Sequence, residues 1–277
     1  MPDYLSKIYD WNRQDLTDQY DELPLWSSDA GRLLLNNFPI GQFSNYLDVG
    51  CGTGFPLIDI SQRLGNRCTS YGIDPWNKAI KRAQFKIDML ELSENIKLID
   101  GNASNLSFPS DFFDLITSNF GINNFDNPTA VLNECQRVLK PGASFCLTTN
   151  LKGNFEEFYE IFNNTLSELE MIKYQPLLEK HIDHRGTIDT HSSLLNKAGF
   201  TIKNQLESRF VMRYYDGSAF LNHSVIASGF FDSWRAMIEP SDRPVFFTRL
   251  EKNLNRYAEE KGEFRVSIPI VYFECVK

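Results

Sequence analysis

The stretch YLDVGCGTGFPL, residues 46–57, decides the fold of this chain. An apolar run that carries one acid, Asp48, stops at three alternating glycines, Gly50, Gly52 and Gly54. Glycine lets the backbone turn sharply and approach a ligand closely, and the start of a following helix favours polar or anionic groups. A glycine triplet also occurs in ordinary tight turns, so the surrounding sequence has to decide between a turn and a ligand site.

Short β-rich runs alternate with helical patterns around this loop. Strands are predicted over 44–50, 68–74, 95–100, 112–119 and 143–150. Three helices are predicted between these strands. The first ends at Gly65, and the second follows Pro75 with Ala79, Ala83, Ile87 and Leu90 on one face. The third covers 126–142 and ends at Pro141-Gly142; its buried residues are Val131, Leu132, Cys135, Val138 and Leu139. This rhythm predicts a parallel sheet with helices on both faces, which binds ligands at the carboxyl ends of its strands.

The second half of the chain is less regular. Its predicted elements are one or two helices over 151–186, a helix over 190–200, a strand over 201–213, two helical stretches over 216–262 and a strong last strand over 263–277. Pro269 hints that this last strand is an edge strand or has a bulge. Tyr214, Tyr215 and Asp216 either face a substrate or end a strand at a turn, and the turn is favoured. Phe155, Phe158, Tyr159 and Phe162 recur at helical spacing, which indicates core packing.

Composition excludes several classes of function. The net charge is -8, from 28 Lys and Arg against 36 Asp and Glu, so nucleic-acid binding by phosphate neutralisation is not expected. No stretch is apolar enough to cross a membrane, and the start, MPDYLSKIYD, lacks the apolar core of a signal peptide, so a cytoplasmic protein is expected. The five cysteines are scattered without a CxxC pair, which favours buried thiols over disulfides or a metal site.

The spacing of the glycines separates this loop from two better-known nucleotide loops. In G-x-G-x-x-G the third glycine would fall on Phe55 or on Leu57, so the dinucleotide fingerprint and a nicotinamide-dependent oxidoreductase are disfavoured. No lysine follows the glycines, which excludes a P-loop. Asp74 ends the second strand, where an acid can accept hydrogen bonds from both hydroxyls of a ribose. DGNAS (100–104) ends the third strand and could frame an adenine edge, so the pattern predicts a nucleoside site.

Four segments in order resemble the class I S-adenosylmethionine-dependent methyltransferases, especially the group called methyltransferase type 11. They are LDVGCGTG (47–54), GIDPW (72–76), GNASNLSFPSDFFDLITSNFGINN (101–124) and RVLKPGASF (137–145). The resemblance implies an α/β, Rossmann-like class I methyltransferase fold: a seven-stranded, mostly parallel sheet with an antiparallel last strand and helical insertions that form a lid. It implies one domain over 1–277, made of an N-terminal helical arm (1–43), a cofactor-binding core (44–150), lid insertions (151–186 and 216–262) and a final strand (263–277).

The resemblance also assigns the cofactor-binding residues. Gly50, Gly52 and Gly54 would hold the methionine end of S-adenosylmethionine with Asp48 and Cys51 nearby, Asp74 and Pro75 would lie at the ribose, Asn102 and Ala103 would flank adenine, and Asn119 and Phe120 would lie near the sulfonium. The family usually has Asp at the position of Asn102; Asn still offers an oxygen acceptor to the adenine amino group, so binding is expected to be retained. Phe120 could stabilise the sulfonium or simply pack the end of a strand. The aromatic N-terminal arm is expected to fold over the cofactor.

The implied activity is transfer of a methyl group to a small-molecule acceptor, with S-adenosylhomocysteine as the product. A hydroxyl acceptor would need a general base, for which His181 and His184 in HIDHRG (181–186) are the candidates. The same motif could hold a metal with Asp183, or be an ordinary surface loop. Carbon, oxygen and nitrogen acceptors and the oligomeric state stay open. The alternative function is a non-catalytic S-adenosylmethionine-binding module or partner subunit.

Overall fold

A seven-stranded sheet organises the chain, for which a computed structural model describes residues 3–23 and 26–277. The strands are β1 (Asn45–Val49), β2 (Thr69–Asp74), β3 (Ile96–Asp100), β4 (Phe113–Asn119), β5 (Leu139–Asn150), β6 (Thr201–Tyr214) and β7 (Phe264–Val276). Their order is β3-β2-β1-β4-β5-β7-β6. The pairs from β3 to β5 are parallel, and β7 runs antiparallel to β5. The predicted α/β fold with a mostly parallel sheet and an antiparallel last strand is confirmed.

Twelve α-helices occur in the described part of the chain. They are α1 (Gln14–Glu22), α2 (Ser28–Asn37), α3 (Leu57–Leu64), α4 (Asn77–Met89), α5 (Pro128–Val138), α6 (Glu156–Glu168), α7 (Gln175–Ile182), α8 (Ile188–Lys197), α9 (Gly217–Asn222), α10 (Ser224–Gly229), α11 (Phe231–Ala236) and α12 (Arg243–Lys261). None of the helices in these described ranges has the length and apolar character that crossing a membrane requires.

The chain divides into two compact units. The sheet unit consists of Trp11–Asn150, Thr187–Ser208 and Ile270–Lys277, and the helical unit consists of the residues up to Asp10, Leu151–Gly186 and Arg209–Pro269. The insertions expected to form a lid, 151–186 and 216–262, both fall in the helical unit. That these parts form a single domain stays a prediction.

Buried residues hold β1, the loop that follows it and α3 against the sheet. Four of the five residues of β1 are buried, and Leu57 at the start of α3 is buried against the same core. A side chain at Gly72 in β2 would overlap Leu57 (2.5 Å) and the Cys51 sulfur (2.9 Å). Glycine at position 72 therefore lets the loop after β1 and the following helix pack directly on the sheet.

The predicted end of helix 126–142 is wrong. Helix α5 stops at Val138, and Leu139 already pairs with Phe113 of β4, so Leu139, Pro141 and Gly142 belong to β5. The last carbonyls of α5 have other donors, because Phe112 N–H donates to Val138 O at 2.8 Å. The helix thus ends where strand pairing begins, because these hydrogen bonds satisfy the last backbone carbonyls of α5.

Three smaller expectations also fail. Leu90 lies just beyond α4, where its side chain is 44% exposed and not on the buried face. The region 216–262 holds four helices, not two, because His223 and Phe230 leave helical geometry and divide it. Strand β7 lies between β5 and β6, so Pro269 does not mark an edge strand; the pairing with β5 begins at the next residue, Ile270, and the alternative of a bulge stays a prediction.

Aromatic side chains form the core of the helical unit. Phe155, Phe158, Tyr159 and Phe162 are all buried on α6 or at its start, as the helical spacing predicts.

Strand β6 ends at Tyr214, and the Asp216 carboxylate accepts a hydrogen bond from Ala219 N (2.7 Å) at the start of α9. Asp216 therefore caps a helix, which agrees with the favoured interpretation of a turn at this point.

Candidate functional site

Hydrogen bonds join the loop after β1 to the carboxyl end of β2. Asp74 Oδ2 accepts from Gly52 N at 2.9 Å, and Asp74 Oδ1 accepts from Trp76 N at 2.8 Å. Gly50 N and Cys51 N both donate to Ile73 O. A carboxylate oxygen has two acceptor positions, so Asp74 can accept further hydroxyl donors while it holds both loops in place. Burial raises the pKa of Asp74, and these two N–H donors offset part of that rise.

The glycines of the loop serve different purposes. A side chain at Gly54 would come within 2.8 Å of Ile58 and 3.3 Å of Ala83, so glycine there permits close helix packing. Gly52 has φ +50°, and a Cβ built on it would meet no atom within 4 Å. The space beside Gly52 is thus open to a ligand that approaches the backbone.

Asp48 is a fully buried acid with one oxygen unused. Its Oδ1 accepts from Thr117 Oγ1 at 2.6 Å, and that hydroxyl lies 2.7 Å from the Tyr46 hydroxyl. Its Oδ2 has no hydrogen-bond partner among the described residues. Burial raises the pKa of Asp48 to about 7. A cationic or N–H donor reaching Oδ2 would therefore stabilise the ionised acid.

The thiol and the proline assigned to the site differ in burial. Cys51 is buried beside Gly72, and burial raises its pKa well above the usual value, so it stays an unreactive thiol. Pro75 is exposed directly after Asp74. Neither side chain offers a group for chemistry, which leaves them a shaping role in the two loops.

The predicted adenine contacts lie after β3. Asn102 is exposed, and its Oδ1 accepts from Ser104 N at 2.9 Å in a local turn. Ala103 is buried. Asp100, which pairs with Asp74 across β2 and β3, accepts from Asn77 Nδ2 at 2.6 Å. The amide oxygen of Asn102 thus has a partner in the protein, and its predicted contact with adenine stays a prediction.

Asn119 and Phe120 sit at the carboxyl end of β4 under the N-terminal arm. Asn119 Oδ1 accepts from Thr148 Oγ1 (2.7 Å), and its Nδ2 donates to Ser27 O (3.1 Å). Phe120 is buried in the left-handed region at φ 61°, and its ring lies 5.8 Å from that of Trp26. A non-glycine residue at positive φ stores strain that the surrounding contacts must hold.

The arm is tied to the same edge of the sheet. Asp21 of α1 accepts from Arg82 Nε (2.7 Å) and Lys86 Nζ (2.5 Å) of α4. The rings of Trp11, Tyr20 and Trp76 contact one another at 5.4–5.9 Å. These contacts hold the arm beside Trp76, two residues after Asp74.

The two candidate bases lie in the helical unit, whereas all the predicted cofactor-binding residues lie in the sheet unit. His181 is half-buried at the end of α7, with Nε2 3.0 Å from the Tyr159 hydroxyl. Burial, with Arg185 and His184 nearby, lowers its pKa, which favours the neutral form of the ring. His184 is exposed. In residues 3–23 and 26–277 no three His, Cys, Asp or Glu side chains come together to hold a metal.

Sequence reasoning missed the residues that position the site from a distance. Thr117 holds Asp48 across 69 positions, and Ser27 holds Asn119 across 92. No local pattern marks either residue, because each contact is created by the packing of the sheet and the arm.

Comparison with known proteins supports the motif-based resemblance. Residues 47–147 match the family model described as "Methyltransferase domain". The demethylmenaquinone methyltransferase of Listeria welshimeri is 34% identical over 120 residues, which is 43% of this chain and 50% of the relative. That of Geobacillus stearothermophilus is 39% identical over 105 residues, 38% of this chain and 44% of the relative. The chain spans about half the length of these curated relatives.

Solved structures share the fold at low sequence identity. The YcgJ protein of Bacillus subtilis has a TM-score of 0.59 at 16% identity, covering 90% of this chain and 98% of its own. A putative methyltransferase of Bacillus halodurans has a TM-score of 0.61 at 15% identity, covering 90% and 99%. The [4+2]-cyclase SpnF has a TM-score of 0.57 at 15% identity, covering 95% of each chain. These likenesses confirm the fold.

Proposed function

Because residues 47–147 match the family model of the methyltransferase domain, we propose that this protein transfers a methyl group from S-adenosylmethionine to a small-molecule acceptor. The observation that carries the proposal is the linked pair of Gly52 and Asp74, with open space on the ligand side of the glycine. A dinucleotide loop or a P-loop would need other residues at this edge, as the spacing of the glycines indicates.

The residues present fit the cofactor. The carboxylate of Asp74 would take the ribose hydroxyls, and the backbone at Gly52 leaves room for the methionine part. The unpartnered Asp48 Oδ2 suits the cationic amino group of that part, since an opposite charge would offset the cost of its burial. Ala103 and Asn102 would flank adenine, and Asn119 and Phe120 would lie towards the sulfonium.

S-adenosylmethionine supplies a methyl group on a sulfonium, open to in-line displacement by a nucleophile of the acceptor. The protein then has to align and desolvate the reacting groups, and alignment alone can contribute about 7–11 kcal/mol. Asn119 is held from both sides by Thr148 and Ser27, so it provides a fixed polar wall at the end of β4. The arm anchored by Asp21 would exclude water from this edge.

The acceptor is proposed to be a small molecule, and we do not assign the substrate of the relatives to this protein. Two relatives are named as demethylmenaquinone methyltransferases, which makes demethylmenaquinone the first acceptor to test. The family match, however, ends at residue 147, before the segments 151–186 and 209–269 of the helical unit. An acceptor recognised by those segments would be specific to this chain.

A general base is proposed only for a hydroxyl acceptor. Burial lowers the pKa of His181 and so favours the neutral ring, which is the form that a base needs. Its Nε2 is hydrogen-bonded to the Tyr159 hydroxyl at 3.0 Å, so an acceptor proton could reach this nitrogen only in place of that contact. His184 is the exposed alternative in the same motif.

The test incubates the purified protein with methyl-labelled S-adenosylmethionine and fractionated cell extract, and locates the label by mass spectrometry. Cofactor affinity is measured on the same sample by calorimetry. Label in one small molecule is the expected result. Label in protein or nucleic acid would overturn the acceptor class, and cofactor binding without any transfer would favour a non-catalytic module.

A further inference from the structure

Three polar side chains line up inside the aromatic core of the helical unit. The indole N–H of the fully buried Trp234 donates to the Tyr159 hydroxyl at 3.2 Å. That hydroxyl lies 3.0 Å from His181 Nε2, with the two rings 5.6 Å apart. Helices α11, α6 and α7 each contribute one of these groups. Apolar packing alone would not require such a chain of hydrogen bonds. We infer that these hydrogen bonds fix the orientation of the His181 ring.

The donors and acceptors in this chain fix which nitrogen of His181 carries the proton. An indole N–H can only donate, so the Tyr159 oxygen accepts from Trp234. Burial raises the pKa of Tyr159 to about 12, so the phenol keeps its proton. No other acceptor for that proton is present among the described residues, and we assign it to His181 Nε2. The neutral imidazole then carries its own proton on Nδ1, as a donor.

Arg185 follows the end of α7, four residues after His181, and no anionic side chain among the described residues pairs with it. The guanidinium is half-buried, and in the described part of the chain no side chain forms an ion pair or hydrogen bond with it. The nearest acid in the sequence, Asp183, is already paired with Lys152 at 2.6 Å. Burial lowers the pKa of Arg185, and no carboxylate opposes that effect. Withdrawing a cation from water without a partner costs free energy, which a bound anion would offset.

We propose that Arg185 and His181 form a binding site for the carboxylate of a small molecule. The inference rests on the proposed function only in identifying this molecule as the methyl acceptor. The planar guanidinium can bind both oxygens of a carboxylate, and His181 Nδ1–H supplies a further donor. Tyr159 and Trp234 act as positioning residues that hold the imidazole in the required tautomer. A cationic ligand is excluded, because Arg185 would repel it.

The test compares 4-hydroxybenzoate with its neutral analogue 4-hydroxybenzamide by calorimetry, with S-adenosylhomocysteine present. We expect the carboxylate to bind at least tenfold more tightly than the amide. Arg185→Met should abolish this preference, and Arg185→Lys should keep only part of it because lysine lacks the planar fork. The matched control is Arg213→Met, since Arg213 is an exposed arginine paired with Glu263 in the same unit.

Thermal unfolding separates a binding role from a structural one. Arg185→Met removes an unpaired cation, so its Tm should equal or exceed that of the parent protein. A lower Tm with an unchanged preference for the carboxylate would overturn the proposal. It would also be overturned if the parent protein did not distinguish the two probes.

The two proposals fail in different ways. Loss of the carboxylate preference in Arg185→Met, with no label transfer to any acceptor, would leave the site standing and reject the enzyme. Label transfer to acceptors that all lack a carboxylate, unchanged in Arg185→Met, would reject the site and keep the enzyme.

Discussion

Replacing Gly52 by alanine tests whether the open space beside the loop is a cofactor site. Gly52 adopts φ +50°, where an L-residue costs about 1–2 kcal/mol. No protein atom lies within 4 Å of the added Cβ, so the variant should fold with no steric clash. At about 2–4 °C per kcal/mol, its Tm should fall by about 2–8 °C.

Cofactor affinity should fall by more than this strain explains. The added methyl group projects into the space that the ligand would occupy, so we expect at least a tenfold rise in Kd, or about 1.4 kcal/mol. Calorimetry with S-adenosylmethionine and with S-adenosylhomocysteine measures this, and thermal unfolding without ligand measures the strain.

Gly262 provides a matched control. It ends α12 in the left-handed region, at φ 84° and ψ −10°, and a Cβ there would also meet no atom within 4 Å. Gly262→Ala should lower Tm by a similar amount and leave Kd unchanged. If Gly52→Ala lost stability like Gly262→Ala but kept its cofactor affinity within about twofold, the space beside Gly52 would not be the cofactor site.

Three further substitutions address the acids of the sheet unit. Asp74→Asn should raise the cofactor Kd about ten- to a hundredfold, because it loses charge-assisted hydrogen bonds worth about 1.5–3 kcal/mol. The control, Asp100→Asn on the adjacent strand, should leave Kd unchanged. If calorimetry gave the same Kd for both variants, Asp74 would not belong to the site. Burial raises the pKa of Asp48 from 3.8 to about 7, so the folded state holds a proton that the unfolded chain loses. The free energy of folding that this protonation contributes is complete below about pH 4 and is lost as pH rises towards 7. Asp48→Asn should therefore make Tm depend less on pH over this range, and should raise Tm at pH 8. If Tm changed with pH in the same way in the variant and in the parent protein, Asp48 would not have a raised pKa. Asp21→Ala removes the partner of Arg82 and should speed cofactor release in stopped-flow measurements, and an unchanged rate would show that the arm does not cover the site.

The parallel part of the fold is predictable from local sequence. Each strand from β1 to β4 ends at a loop or turn that its own residues specify, and the glycine loop fixes where the site lies. The prediction failed where long-range pairing overrides local signals. Pro141-Gly142 reads as a helix stop, yet Leu139 already pairs with Phe113, 26 positions earlier. A strand neighbour can thus end a helix before its own breaker is reached.

The proposed cofactor site and the proposed carboxylate site differ in how far sequence can specify them. The proposed cofactor site depends on backbone amides and one acid within a few residues of consecutive strand ends, so a short motif is enough. The proposed carboxylate site depends on Trp234 reaching Tyr159 across 75 positions and on Tyr159 reaching His181 across 22. Here the sequence shows only HIDHRG, a motif that could supply a base, hold a metal or be a surface loop. Packing against Tyr159 gives His181 one tautomer, and the absence of an acid facing Arg185 within the described residues gives the site its preference for an anion. Acceptor specificity is therefore a property of tertiary contacts, and relatives that share the glycine loop need not share it.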